Sequence, residues 1–143
     1  MHQDLKDILL TEEQLQAKIR ELGAKISADY RDRNPLLIGV LKGAFMFMAD
    51  LAKAIDIPVE IDFMAVSSYG SSTKSSGVVR IIKDLEVSVE GRDVIIVEDI
   101  IDSGLTLSYL IDVLERRNAR SVAVVALLDK PDRRKVNLDI EYK

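Results

Sequence analysis

The segment Glu98-Asp99-Ile100-Ile101-Asp102-Ser103-Gly104-Leu105-Thr106 carries the densest set of chemically useful groups in the chain. It follows the apolar run Val94-Ile95-Ile96-Val97, so a buried strand delivers two adjacent carboxylates at its end. A third carboxylate, Asp102, opens the turn Ser103-Gly104-Leu105-Thr106. Gly104 permits tight bending there, and a helical pattern follows. The N–H groups of Ser103–Thr106 then face outward at a helix N-terminus, and Ser103 and Thr106 add hydroxyls. Together they make a cradle for a phosphate monoester. Carboxylates beside a phosphate would repel it, so Glu98 and Asp99 need another task. Neighbours on an extended strand point in opposite directions, so the two need not act alike. They can accept hydrogen bonds from vicinal sugar hydroxyls, or hold a magnesium ion through water. A helix cap alone would account for Asp102 and Ser103. The complete order of strand, acidic pair, Asp-Ser-Gly-x-Thr and helix is far more specific.

Three further places sit where strands run into loops. Leu41-Lys42-Gly43 ends an apolar run, and Gly43 lets a ligand or another backbone approach closely. Ser68-Tyr69 lies in the small, polar stretch Ser67–Gly77, and Lys130 stands between an apolar run and Pro131. From residue types alone, Lys42 and Lys130 read equally as surface lysines and Ser68-Tyr69 as a surface loop. His2, the single histidine, falls in a fraying terminus and earns no role. Arg116-Arg117 and Arg133-Arg134-Lys135 read as solvated surface, and Phe45–Met48 as core.

The elements that position these groups are legible from periodicity. Thr11 and Gln14 make a capping box, and Leu15, Ile19, Leu22 and Ile26 recur at helical spacing. Leu36–Leu41 reads as a buried strand, and Gly43 opens a helix with Met48, Leu51, Ala52 and Ile55 on one face. Val59–Val66, the region of Ile81-Ile82, Val94–Val97 and Val122–Leu128 read as further strands, with Leu138–Tyr142 a last short one. Leu107, Leu110, Ile111 and Leu114 stripe the helix after Gly104. Solidly apolar strands alternating with helices predict an α/β fold, a mainly parallel sheet covered by helices on both faces. Residues 1–143 read as a single domain, and ligands in such sheets bind beyond the strands' carboxyl ends.

The 143 residues are 48% hydrophobic and 31% charged, enough to bury a core without staples. Cysteine is absent, so no thiolate nucleophile or disulfide contributes. A net charge of −4 and no basic stripe argue against nucleic-acid binding. No signal peptide opens the chain and no apolar run reaches a membrane span's length, so the expectation is a cytoplasmic protein with no membrane partner.

The segment Glu98–Thr106 resembles the phosphoribosyl-diphosphate signature of the type I phosphoribosyltransferases. Gly39-Val40-Leu41-Lys42-Gly43-Ala44-Phe45, Ser67-Ser68-Tyr69-Gly70, Arg80-Ile81-Ile82-Lys83-Asp84-Leu85 and Leu127-Leu128-Asp129-Lys130 are similar, in order and spacing, to the bacterial hypoxanthine-type members. The likeness runs from about Asp7 to Tyr142.

It implies transfer of a 5-phosphoribosyl group from phosphoribosyl diphosphate to hypoxanthine or guanine, giving IMP or GMP and diphosphate. Asp102, Ser103, Gly104, Leu105 and Thr106 would hold the 5-phosphate, and Glu98 and Asp99 the ribose hydroxyls and Mg2+. Asp102 would also face purine N7 as the catalytic acid/base. Leu41, Lys42, Gly43, Ser68 and Tyr69 would bind diphosphate, with a non-proline cis peptide near Lys42. Lys130 would donate to the purine 6-oxo group, selecting oxopurines over adenine. The family also implies a homo-oligomer, dimer or tetramer.

The family pattern runs a few dozen residues past Lys143. That stretch supplies an aromatic residue stacking on the base, another acidic residue near magnesium and an arginine for diphosphate. The expectation is weakened base binding, with a core that binds phosphoribosyl diphosphate or a nucleotide without efficient transfer as the alternative reading.

Overall fold

The structure, a computed structural model, describes residues 11–68 and 79–143. Helix α1 spans Glu12–Asp29, β1 Leu36–Leu41, α2 Phe45–Ala54, β2 Glu60–Ser68 and β3 Val79–Lys83. Strand β4 (Asp93–Ile101), helix α3 (Leu105–Arg116), β5 (Ser121–Asp129) and a 3-10 turn at Pro131–Arg133 complete them. Helix α1 starts where its capping box places it: Gln14 N donates to Thr11 Oγ1 at 3.0 Å, and Thr11 N to Gln14 Oε1 at 2.8 Å.

The five strands lie in the order β3-β2-β1-β4-β5. Pairs β1–β2, β1–β4 and β4–β5 are parallel, and β2–β3 is antiparallel. From β1 the chain winds outward to β2; from β4 it winds outward the other way to β5. The switch point therefore falls between the carboxyl ends of β1 and β4, where a doubly wound sheet leaves a crevice for ligand.

Continuous apolar strands are explained by burial on both faces. On β4, Ile95 and Val97 pack with Ile19, Leu22, Met48 and Leu51 of α1 and α2. Val94 and Ile96 pack with Leu107, Leu110 and Leu114 of α3 on the opposite face. Burying each such side chain contributes roughly 1.5–3 kcal/mol relative to exposure. Strand β4 is thereby fixed in register and direction, and its last residues emerge at a defined place.

Several local expectations are corrected. Leu138–Tyr142 forms no strand; Tyr142 alone bridges Val125, with Ala126 N donating to Tyr142 O at 2.8 Å. The Glu141 side chain accepts from Val124 N at 2.9 Å, taking a donor that a continued ladder needs. Helix α2 begins at Phe45 and not at Gly43, because the chain first turns through Lys42–Ala44. Phe47 and Met48 are core as expected, whereas Phe45 and Met46 are 55% and 69% exposed. Arg117 does not merely solvate its helix: it donates to both carboxylate oxygens of Asp84 at 2.8 Å.

Candidate active site

Strand β4 carries Glu98 and Asp99 to the sheet's carboxyl edge, and the pleat sends them opposite ways. Glu98 lines a cavity of about 170 Å³ together with Ile100, Asp102, Ser103, Gly104 and Thr106. That volume is below the roughly 300–1,000 Å³ of a whole drug-sized ligand site. It suits one polar end of a ligand, such as a sugar phosphate.

Asp99 turns toward the β1–α2 loop instead. Its Oδ1 accepts from Ile100 N at 2.8 Å. A Cβ at Gly43 would stand 3.1 Å from that oxygen and 3.2 Å from Oδ2. Gly43 thus lets the loop lie directly on the carboxylate. The loop itself is compact: the Leu41–Lys42 peptide is cis, Ala44 N donates to Val40 O, and Phe45 N donates to Lys42 O. Lys42 and Gly43 are exposed there. Ser68 ends β2, and Tyr69 lies outside the described residues.

Between β4 and α3 the chain bends through Asp102-Ser103-Gly104. Gly104 adopts φ +83°, a left-handed conformation that glycine reaches without strain, and Ser108 N donates to Gly104 O to begin the helix. The Asp102 side chain is exposed, so it is free to meet a ligand. Not all four expected N–H groups are outward: Leu105 N donates to Ser103 Oγ at 3.3 Å. Lys130 is brought beside the turn by its own N–H, which donates to Ile101 O at 2.9 Å.

Burial and, next, the neighbouring Asp99 charge push the Glu98 carboxyl up to about 8. A bound cation would oppose that rise and favour ionised Glu98, and carboxylate oxygens are hard donors, which suits magnesium. Among the described residues no group of three or more His, Cys, Asp or Glu gathers. Because Glu98 and Asp99 turn opposite ways, they build no protein cage; an ion here would take one carboxylate, keep several waters and be shared with substrate phosphates.

Sequence reasoning singled out Asp129–Lys130 as a segment at a strand's carboxyl end but missed Arg134 and its pairing with Asp129. Arg134 was expected on solvated surface, but its side chain is only 15% exposed and is ion-paired with Asp129. Its Nε donates to Asp102 O at 3.2 Å, directly behind the cavity turn. The available signal was an acidic residue closing an apolar strand, with an arginine returning just after Pro131.

Comparison with known proteins agrees with this geometry. Residues 6–143 match the phosphoribosyl transferase domain family. The hypoxanthine-guanine phosphoribosyltransferase of Bacillus subtilis is 57% identical over 142 residues, covering 99% of this chain and 79% of that protein. The bifunctional protein TilS/HprT of Listeria innocua is 60% identical over 99% of this chain, which spans 22% of that longer protein. A crystal structure of a hypoxanthine phosphoribosyltransferase from Staphylococcus aureus superposes with a TM-score of 0.91 at 49% identity, covering 99% of this chain and 77% of its own. With a family match over almost its full length and both sequence and fold similarity on its side, the chain belongs to the hypoxanthine-guanine phosphoribosyltransferase family.

Proposed function

We propose that this chain transfers the 5-phosphoribosyl group of phosphoribosyl diphosphate to hypoxanthine or guanine, forming IMP or GMP and releasing diphosphate. The observation that carries this reading is the single cavity in which Glu98, Asp102, Ser103, Gly104 and Thr106 meet at the end of β4. A sugar phosphate needs anion-binding donors beside groups that accept from hydroxyls, and this turn offers both.

In that reading, Asp102–Thr106 hold the 5-phosphate, through backbone N–H groups and hydroxyls at the start of α3. Glu98 and Asp99 accept from the ribose hydroxyls and hold Mg2+, which when bound neutralises the diphosphate leaving group. Leu41, Lys42 and Gly43, with Ser68 and Tyr69, take the diphosphate. As the bond to diphosphate breaks, positive charge develops at the anomeric carbon, and the side chains of Glu98 and Asp99 favour it electrostatically in their ionised form. Asp102 faces purine N7 and moves the proton there as the N9–C1 bond forms. Lys130 donates to the 6-oxo group. This reading places the protein in the cytoplasm as a dimer or tetramer; among the described residues no helix is long and apolar enough to cross a membrane.

The test is direct: the 143-residue chain is incubated with phosphoribosyl diphosphate, Mg2+ and hypoxanthine, and IMP is followed spectroscopically. Accumulating IMP supports the transferase. Tight binding of phosphoribosyl diphosphate with no IMP selects a binding core instead.

A further inference from the structure

Three consecutive carbonyls of the cavity turn are held by one short segment, residues 130–135. Lys130 N donates to Ile101 O at 2.9 Å, and Lys135 N donates to Ser103 O at 2.8 Å. Between them, Asp102 O accepts from Arg134 Nε at 3.2 Å. This middle carbonyl is the one held by a side chain. The guanidinium is itself anchored, because Nη2 donates to Asp129, 9% exposed at the end of β5. The stem also packs on the turn: Arg134 Cδ lies 2.9 Å from where a Gly104 Cβ would stand.

The direction of these bonds matters. No residue of the 130–135 segment lines the cavity, so the donors that hold these three carbonyls stand outside it. A trans peptide is planar, with its C=O and N–H on opposite edges. Holding Asp102 O from outside the cavity therefore fixes the Ser103 N–H on the opposite edge of the peptide, and Ser103 is a cavity-lining residue. The Lys135 bond to Ser103 O does the same for the Gly104 N–H.

We infer that Arg134 is a positioning residue: braced by Asp129, it locks the Asp102–Ser103 peptide so that the Ser103 N–H is aimed at the ligand's phosphate monoester. This rests on the reading of the turn as a phosphate cradle. A guanidinium fits the task because its rigid fork reaches two acceptors at once in a fixed plane. A lysine can keep the ion pair with Asp129, but as a point donor it does not fix the orientation of Asp102 O.

The experiment uses Arg134→Lys and Arg134→Met in the 15N-labelled chain, with ribose 5-phosphate as the probe and Tm recorded for each variant. Arg134→Lys is expected to stay folded, yet to bind ribose 5-phosphate about tenfold more weakly, the usual worth of a hydrogen bond to a charged group. The downfield shift of the Ser103 amide proton that saturating probe produces in the parent should shrink with it. The KM for phosphoribosyl diphosphate should rise while kcat at saturation holds. Parent affinity and a parent-like Ser103 shift in folded Arg134→Lys would overturn the role of Arg134 alone. An unsubstituted chain that neither binds the probe nor shifts Ser103 would overturn the cradle reading and this inference together. Arg134→Met adds loss of the ion pair, so a drop in its Tm with no such drop in Arg134→Lys separates anchoring from aiming.

Discussion

Asp99 and Gly43 meet across the switch point of the sheet: the carboxylate at the end of β4 lies close against the backbone of the loop after β1, so that even a methyl at Gly43 would crowd it. Gly43→Ala would put a Cβ 3.1 Å from Asp99 Oδ1, an oxygen already held by Ile100 N. Either the loop lifts or the carboxylate rotates out of that bond. A displacement near 1 Å at a reacting centre can cost about 10²-fold; the shift needed here is smaller, so kcat/KM for phosphoribosyl diphosphate should fall by up to about tenfold with little change in Tm. Steady-state kinetics with that substrate varied, beside a melting curve, check this. Unchanged kinetics would show that the contact does not set the site.

Asp102 offers a cleaner separation of binding from chemistry. Its backbone belongs to the phosphate turn, while its side chain is exposed at the cavity. Asp102→Asn keeps the shape and the peptide but removes the proton acceptor. Turnover should drop by about 10²–10⁴-fold, the usual range for general acid–base catalysis, while ribose 5-phosphate affinity stays near that of the parent. Turnover within twofold or so of the parent would remove Asp102 from the acid/base role.

The sequence made β4 and the turn readable because their signals are local. Four apolar residues in a row, an acidic pair and Asp-Ser-Gly ahead of a helical stripe each follow from neighbours along the chain. The same locality explains the capping box at Thr11 and Gln14. Other features depend on what comes near from afar. Arg33 and Asp93 pair across 60 residues, and nothing in either neighbourhood announces it. Arg134 looked like one of three solvated cations because its partners are a carbonyl behind the cavity and a carboxylate across a 3-10 turn. Leu138–Tyr142 looked like a strand from composition, yet a side chain of the same segment takes the β5 donor that a ladder needs.

Gly104 tests the turn's backbone separately from its side chains. At φ +83° an L-residue is strained, and a Cβ would also stand 2.5 Å from Leu138 Cδ1. The left-handed conformation alone costs roughly 1–2 kcal/mol for a non-glycine residue, and Leu138 and Arg134 must also move. Gly104→Ala should therefore lower unfolding stability by about 2 kcal/mol or more in urea and weaken ribose 5-phosphate binding at the same time. Weaker phosphate binding without lost stability would mean that the strain is relieved by reshaping the turn.

Acid stability should depend on Asp93, which sits at the opposite end of β4 from the site. The residue is 3% exposed and accepts from Arg33 Nε and Nη2 at 3.1 and 3.0 Å and from Ser121 Oγ at 2.7 Å. Burial pushes its carboxyl up, but the bonds from Ser121 and Arg33 and the nearby charges of Arg33 and Arg120 outweigh that and hold it below the ordinary range. A carboxyl depressed on folding contributes stability in full above its unfolded value of about 3.9. That contribution is lost as pH falls through the lower folded value. Asp93→Asn should thus cost about 1–2 kcal/mol at neutral pH, as expected for a weakened hydrogen bond to a charged group. The gap between variant and parent should narrow as pH is lowered below about 4 and through the depressed folded value, where the parent carboxyl takes up its proton too. Urea titrations at a series of pH values measure this. A gap that stays constant across that window would show that Asp93 acts through shape and not through charge.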